Sequence, residues 1–225
     1  MRGWEASPDR VSDTILDDAK RLLEQVATKG LLQLKGVAGI FPAASENEDI
    51  IIGVRHLCFK RNLQKKPAGI FNPCLADFLL PARNGKAADW LGLFALSAGF
   101  GLEEASEQYR RGGDDYGALL LASLANALAE AFVEEAHLRV RREWWGYAPD
   151  ESLSIDEILK GAFTGIRPAF GYPSCPNHED KRIAFELLEA EKRCGLKLTD
   201  TAMIIPAASV CGMFFASPAS YYFSV

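Results

Sequence analysis

The sequence lacks the features that mark several common classes of protein. No apolar run reaches the roughly 18 to 20 residues that a bilayer span requires, and the opening MRGWEASPDR contains no apolar stretch like that of a secretory signal. Five cysteines are present without a C-x-x-C pair, which disfavours a disulfide framework or a zinc site. These absences predict a cytoplasmic protein that does not enter a membrane and whose thiols are buried or unreactive.

Excess positive charge and the common catalytic motifs are missing as well. The formal net charge is −5 and the pI is about 5.3, a balance that disfavours nucleic acid as a partner. No G-x-S-x-G or H-E-x-x-H motif occurs and the three histidines are isolated, so we predict neither a catalytic residue nor a metal site.

The glycine cluster at 97–105 places Glu103 and Glu104 where they would repel a phosphate, so we interpret it as a turn between a strand and a helix.

What is present is the pattern of a folded protein with helices and strands. Apolar residues recur at helical spacing over 12–28, and an alanine- and leucine-rich stretch without proline predicts a long central helix over 114–145. Short apolar runs predict strands, the first two as a hairpin, at 36–43, 49–54 and 90–99. Strands on both sides of a long helix, without strict strand–helix repetition, predict a single α+β domain over 1–225 with an antiparallel sheet.

Two shorter helices and two strands are predicted after the long helix. Ser154 and Glu157 have the spacing of a capping box at the start of the first helix. The run NHEDKRIAFELLEAEKRCG predicts one further helix that Gly195 ends. The runs TAMIIP and SVCGMFF predict the final strands.

The long helix carries a stripe of polar residues. Residues at three- and four-residue steps share one of its faces: Ser123, Asn126, Glu130, Glu134, His137 and Arg141. The usual explanation of such a stripe is a solvent-exposed face, and the spacing alone does not overturn it.

The segment GIRPAFGYPSCP, residues 165–176, combines rigidity with one long cation. Its three prolines restrict the backbone, and Gly171 can adopt a φ value closed to other residues or let a ligand come close. Arg167 offers a planar fork that suits a carboxylate or phosphate, and Tyr172 offers a ring for stacking. Two interpretations stand about even: the loop binds a ligand, or Arg167 pairs with an internal carboxylate while Tyr172 packs in the core.

Longer stretches of the sequence resemble one family in their order and spacing. They are DDYGALLLASLANALAEAF, RVRREWWGYAPDESLS, GIRPAFGYPSCPNHEDK, LLEAEKRCGLKLT, PAASVCGMFFASP and YY, with GVAGIFPA, CLADFLLP and GKAADWLGLFALSAG upstream. Together they resemble the C-terminal reactivation domain of cobalamin-dependent methionine synthase, from about the first helix onward. The R-P-A-x-G-Y-P-x-C-P run is a highly specific part of this match.

The resemblance implies a module that binds S-adenosylmethionine. In the family, cobalamin that has been oxidised to inactive cob(II)alamin is rescued when this domain docks on the cobalamin domain. An electron arrives from flavodoxin or a related flavoprotein, and S-adenosylmethionine supplies the methyl group. The chemistry takes place at cobalt, so the domain itself would contribute proximity and orientation. The family fold is a C-shaped, single α+β domain built on a twisted antiparallel sheet, in agreement with the pattern above.

By matching position, the resemblance implies six residues that contact S-adenosylmethionine: Glu130, Arg167, Ala169, Gly171, Tyr172 and Tyr222. Arg167 would hold the ligand carboxylate, and Glu130 would face the positive end of the ligand. Tyr222 would close the pocket, and the two small residues would offer backbone groups to the adenosyl part. Tyr172 would also lie near the corrin, and with Asn126 it would contact the cobalamin domain.

Three departures from the family bear on these expectations. Family members carry an I-D-W segment before the first helix, and its aspartate also contacts the ligand. They also continue for some tens of residues after the YY match. We expect both segments to be absent here. Asn126 stands where the family often has an aspartate implicated in contact with the cobalamin domain. No D-x-H-x-x-G stretch occurs. Cobalamin would therefore be met on another chain or on another part of a longer one.

Three hypotheses follow. The leading one is a reactivation subunit or fragment of methionine synthase that works with a cobalamin-bearing chain. The second is an S-adenosylmethionine-binding accessory or sensor module for another corrinoid protein. The third is a remnant that folds through its core and no longer binds the ligand.

Overall fold

The computed structural model describes residues 10–61 and 72–223, so most of the opening MRGWEASPDR lies outside the described residues. The helices in this part of the chain are α1 (Arg10–Lys29), α2 (Leu102–Arg111), α3 (Asp115–Arg139), α4 (Ile155–Leu159), α5 (Lys181–Leu188) and α6 (Ala190–Cys194). The strands are β1 (Gln33–Glu46), β2 (Asp49–Ile52), β3 (Arg55–Cys58), β4 (Asp89–Phe100), β5 (Lys197–Leu198), β6 (Ile204–Ile205) and β7 (Ser209–Phe214). Short 3-10 turns cover Leu75–Phe78 and His178–Asp180.

Five of the strands form one curled antiparallel sheet in the order β3-β2-β1-β4-β7, and β5 pairs with β6 in a separate small sheet. The long strand β1 holds the large sheet together, because it pairs with β4 over most of its length and with β2 near its end. The predicted α+β fold, with a large antiparallel sheet and a long helix, is confirmed.

Strand β4 is covered on both faces, which explains its nearly continuous apolar sequence. On one face, Leu91 and Leu93 pack in a core that also contains buried residues of α5 and α6. On the other face, Phe94 and Leu96 pack with Val133 and other buried residues of α3. Helix α3 therefore lies across one face of the sheet, with α5 and α6 on the opposite face.

Helix α3 begins where the sequence predicts it. The Asp114 side chain accepts a hydrogen bond from the Gly117 amide at 2.7 Å and so caps the first turn. The helix continues through a π-helical turn at Val140–Trp144, so the prediction over 114–145 is confirmed. By length and composition alone, Asp115–Trp144 would suffice to cross a bilayer, although the core helix of a soluble protein passes the same test.

Most of the other sequence predictions hold. The helix at 12–28 and the strands at 36–43, 49–54 and 90–99 are confirmed as α1, β1, β2 and β4, and the capping box of Ser154 and Glu157 is present at α4. The glycine cluster is a turn, in which Gly101 adopts a φ of 90° before α2. Four of the five free cysteines are buried, and Cys58 is exposed.

The single helix predicted over 177–195 is wrong. Glu189 adopts a left-handed conformation with a φ of 49°, which separates α5 from α6, and Gly195 ends only the second of them. The Glu189 carboxylate accepts hydrogen bonds from Lys192 at 2.9 Å and from Arg193 at 2.8 Å. These local ion pairs offset part of the strain of a non-glycine residue in this conformation.

Candidate functional site

The loop that carries Arg167 is an extension of the large sheet. Phe215 and Ile166 exchange backbone hydrogen bonds of 2.9 and 3.1 Å, and Phe170 donates to the Cys211 carbonyl at 3.0 Å. Ile166 and Phe170 are buried in the core on the α5 side of the sheet. Because side chains alternate along extended backbone, Arg167 and Ala169 are directed to the opposite face, where α3 lies.

A tight turn ends this loop and explains its glycine. The Gly171 amide donates to the Cys175 carbonyl at 2.8 Å, and the Cys175 amide donates to the Tyr172 carbonyl at 2.9 Å. Gly171 has a φ of 96°, and a Cβ at this position would lie 2.4 Å from the His178 ring. The turn therefore requires glycine for its own geometry.

A cleft with a volume of about 440 Å³ lies between α3, this loop and the end of the described chain. The residues that line it are Phe94, Glu130, Val133, Arg167, Pro168, Ala169, Tyr172, Pro173, Ser174, Val210, Tyr222 and Phe223. Five of the six predicted ligand residues are among them. Gly171 is the exception, because it lies behind the loop against His178. Asn126, which was predicted to contact the cobalamin domain, is exposed one helical turn before Glu130.

A larger cleft, of about 890 Å³, lies between the β1–β2 hairpin and residues 81–87. Among the described residues that line it, Glu46 and Lys86 carry the only charges. None of the predicted ligand residues lies there. The cleft with the larger volume is therefore not the one that contains the predicted polar groups. The smaller cleft is the stronger candidate, because binding specificity depends on convergent polar groups rather than on size.

Arg167 is held from three sides in the smaller cleft. Its Nη2 donates to Glu134 Oε1, and its Nη1 lies 3.4 Å from His137 Nδ1. Its guanidinium carbon lies 5.1 Å from the centre of the Phe163 ring, within the range of a cation–π contact. The second carboxylate oxygen of Glu134 is buried and has no hydrogen-bond partner among the described residues. Arg167 is therefore both paired with an internal carboxylate and part of a cleft wall. Tyr172 is 56% exposed, so the alternative in which it packs in the core is wrong.

The prediction of a solvent-exposed polar stripe is correct only for the first half of α3. Ser123, Asn126 and Glu130 are exposed, but the stripe runs into the protein at its other end. His137 and Arg141 are fully buried there, and Arg141 pairs with Glu151 at 2.5 Å. The stripe was the sequence signal that could have identified Glu134 and His137 as site residues.

His137 is an uncharged histidine. Burial, together with the charges of Arg141 and Arg167, lowers its pKa from the ordinary 6.5 to about 2. Its Nε2 lies 3.1 Å from the Tyr147 hydroxyl. Because the folded state disfavours the protonated form, the stability associated with His137 is present above pH 6.5 and is lost as the pH falls.

We expect His137→Asn to remove part of the acid sensitivity of the fold. In the wild type, this residue lowers the free energy of unfolding by up to about 1.4 kcal/mol for each pH unit below pH 6.5. The measurement is urea unfolding of both proteins at pH 7.5, 6.5 and 5.5. Asp180, whose pKa burial raises to about 6, acts in the opposite sense at acidic pH, and comparing the two proteins cancels its contribution.

His56→Asn is the matched control for this prediction, because the His56 side chain is half exposed. The control variant shows how far the replacement of a surface histidine changes the pH dependence. A His137→Asn variant with the same pH dependence as the wild type would contradict the assignment of a buried neutral histidine.

Comparison with known proteins identifies the family of this chain and supports its fold. The family model described as "Vitamin B12 dependent methionine synthase, activation domain" matches residues 5–225. The chain belongs to this family. The activation domain is also similar to a solved structure described as the MetH reactivation domain bound to AdoHcy, with 39% sequence identity and a TM-score of 0.88. The match covers 95% of this chain and 67% of the other.

Family membership confirms the resemblance found in the sequence. The activation domain shares with that relative a curled antiparallel sheet and a long helix. In the part of the chain that the structure describes, no group of three or more histidine, cysteine, aspartate or glutamate side chains could hold a metal ion. The cleft beside α3 is lined by charged and aromatic groups.

Proposed function

We propose that this activation domain binds S-adenosylmethionine in the cleft beside α3 and supports the reductive methylation of cob(II)alamin in cobalamin-dependent methionine synthase. The observation that carries the proposal is the convergence of Glu130, Arg167, Ala169, Tyr172 and Tyr222 on one cleft from three separate parts of the chain. The similar reactivation domain bound to AdoHcy supports the choice of ligand.

The charges of the cleft fit this ligand. S-adenosylmethionine carries a sulfonium, an ammonium and a carboxylate, and thus one net positive charge. Glu130, Glu134 and Arg167 give the cleft and its wall one net negative charge, and aromatic rings lie beside them. The cleft volume also lies in the range of small-molecule sites.

The residues of the domain would bind and orient the ligand. We assign Arg167 to the carboxylate, Glu130 to the positive end and the backbone near Ala169 to the adenosyl part; Gly171, which lies behind the loop, is not assigned a contact. The Tyr222 hydroxyl accepts a hydrogen bond from the Arg167 amide at 3.0 Å, which fixes the tyrosine at the mouth of the cleft. The ordered loop limits the conformational entropy that binding would cost.

Cobalamin would reside on a partner domain, on the same polypeptide or on another. When bound, S-adenosylmethionine would supply a methyl group and one electron from a flavodoxin-like donor would balance the reaction, so that cob(II)alamin becomes methylcobalamin and S-adenosylhomocysteine is released. Tyr172 is 56% exposed and Asn126 is also exposed, so both are available to the partner domain. The expected location is the cytoplasm.

The proposal is tested by reconstitution. A methionine synthase core loaded with cob(II)alamin is mixed with this domain, a flavodoxin-type reductant and S-adenosylmethionine, and the absorbance spectrum is followed. We expect methylcobalamin to form only when the domain is present. Saturable ligand binding without methylcobalamin formation would instead favour an accessory or sensor module for another corrinoid protein, and the lack of any binding would indicate a remnant.

A further inference from the structure

We infer that Glu134 is a positioning residue, which sets the guanidinium of Arg167 in the orientation that receives the carboxylate of the ligand. The inference rests on the proposed function, since it concerns how the same cleft recognises an amino-acid headgroup. Glu134 lies one helical turn after Glu130 on α3, at the position where the polar stripe enters the protein.

The contact between Glu134 and Arg167 is a close, partly buried ion pair. The two side chains retain 32% and 16% of their exposure, so water screens the pair less than it screens a surface pair. Glu134 engages one end of the guanidinium through Nη2. Five N–H groups are present on an arginine side chain, so this contact leaves donors for a second acceptor.

A second support reaches Arg167 through His137. An arginine can only donate hydrogen bonds, so His137 Nδ1 must accept from Nη1 of Arg167, and Nε2 must carry the proton. That proton points to the Tyr147 hydroxyl at 3.1 Å, which in turn donates to the Thr164 carbonyl at 3.5 Å. The uncharged state of His137 is required for this chain, because an imidazolium would repel the guanidinium.

Glu134 and His137 contact different nitrogens of the Arg167 guanidinium. Glu134 takes Nη2 and His137 takes Nη1, while the Phe163 ring lies against the guanidinium. An arginine without such contacts would sample many rotamers, and ordering it would oppose binding. If Glu134 acted only through its charge, its presence would weaken the attraction between Arg167 and a second carboxylate. Positioning and pure electrostatics therefore predict opposite effects of removing it.

The experiment measures dissociation constants by calorimetry for two probes, S-adenosylhomocysteine and 5′-methylthioadenosine, which lacks the amino-acid headgroup. The proteins are the wild type, Glu134→Ala, Glu134→Gln, Arg167→Ala and the double variant Glu134→Ala/Arg167→Ala. The control is Glu135→Ala, because Glu135 is the next residue of the helix and pairs only at the surface with Arg139 among the described residues.

We expect Glu134→Ala to weaken binding of S-adenosylhomocysteine on the order of tenfold, as for the loss of one hydrogen bond to a charged group. Binding of 5′-methylthioadenosine should not change, which also shows that the variant is folded. Glu134→Gln should recover most of the affinity, because its amide oxygen can still accept from Nη2. The double variant should bind no more weakly than Arg167→Ala alone, because the favourable effect of Glu134 passes through Arg167.

Three results would overturn the inference while leaving the proposed function intact. Tighter or unchanged binding by Glu134→Ala would indicate that its charge only competes with the ligand. Equal losses in the alanine and glutamine variants would show that a hydrogen-bond acceptor at this position does not orient Arg167, and that the negative charge of Glu134 acts on the ligand amino group instead. A further loss in the double variant, beyond that of Arg167→Ala, would indicate that Glu134 contacts the ligand directly. Failure of the wild type to bind S-adenosylhomocysteine would refute the proposed function, and the inference with it.

Discussion

Arg167→Ala should weaken the binding of S-adenosylhomocysteine by about 2–4 kcal/mol, or on the order of 30- to 1000-fold. The substitution removes the guanidinium fork that we assign to the ligand carboxylate. It also leaves Glu134 without its partner in the cleft wall, where its second oxygen is already buried without a hydrogen bond from any residue that the structure describes. An unpaired carboxylate beside the ligand carboxylate would repel it, which places the expected loss above that of an ordinary hydrogen bond.

Calorimetric titration of the variant and the wild type measures this effect. Arg193→Ala is the matched control, since Arg193 pairs with Glu189 at the protein surface, on the far side of the sheet from the cleft. Thermal unfolding of each variant shows whether the fold is retained. Equal affinity of Arg167→Ala and the wild type would remove Arg167 from the binding site.

Gly212→Ala should lower the free energy of unfolding by about 3 kcal/mol and should also weaken ligand binding. Gly212 lies on β7, opposite Ala169 of the loop at 165–176, which pairs antiparallel with the strand. A Cβ at this position would lie 2.4 Å from the Pro168 carbonyl oxygen and 2.8 Å from the Ala169 Cα. Both are backbone atoms of the segment paired with β7, and the Pro168 oxygen itself accepts a hydrogen bond from the Met213 amide at 2.9 Å, so the loop itself must move. Such a movement would displace Arg167 and Ala169 from the cleft.

Gly39→Ala provides the control for this prediction. Its Cβ would first meet the outer atoms of the Phe41 ring, at 2.9 Å, and a side chain can turn away at small cost. We expect Gly39→Ala to lower the free energy of unfolding, measured in urea, by about 1 kcal/mol or less and to leave ligand binding unchanged. A Gly212→Ala variant as stable as the wild type would show that the loop is not held on β7 as described.

The elements with strong periodicity could be predicted from the sequence. The cap at Asp114 and the alanine-rich stretch after it locate α3, and the apolar run of β4 is long enough to be recognised alone. Strands β3 and β5 were missed because they contain only four and two residues and owe their conformation to pairing with β2 and β6. The break at Glu189 was missed because no glycine or proline marks it, and the surrounding residues are good helix formers.

The part of the site that lies in a short, distinctive motif could be predicted from the sequence. Arg167 and Tyr172 stand out as a cation and a ring on a proline-rich loop, whereas Glu130 was named from the resemblance to the family. The burial of His137 and Arg141 was not predictable, because helical spacing shows that residues share a face but not what covers that face. In the structure Phe163 covers it, from a segment more than twenty residues further along the chain.

The crystal structure of the domain with S-adenosylhomocysteine tests the central claim most directly. We predict the ligand in the cleft between α3 and the loop at 165–176, with its carboxylate within hydrogen-bonding distance of the Arg167 guanidinium and its amino group toward Glu130. Density for the ligand in the larger cleft beside the β1–β2 hairpin, or a headgroup turned away from Arg167, would contradict the account.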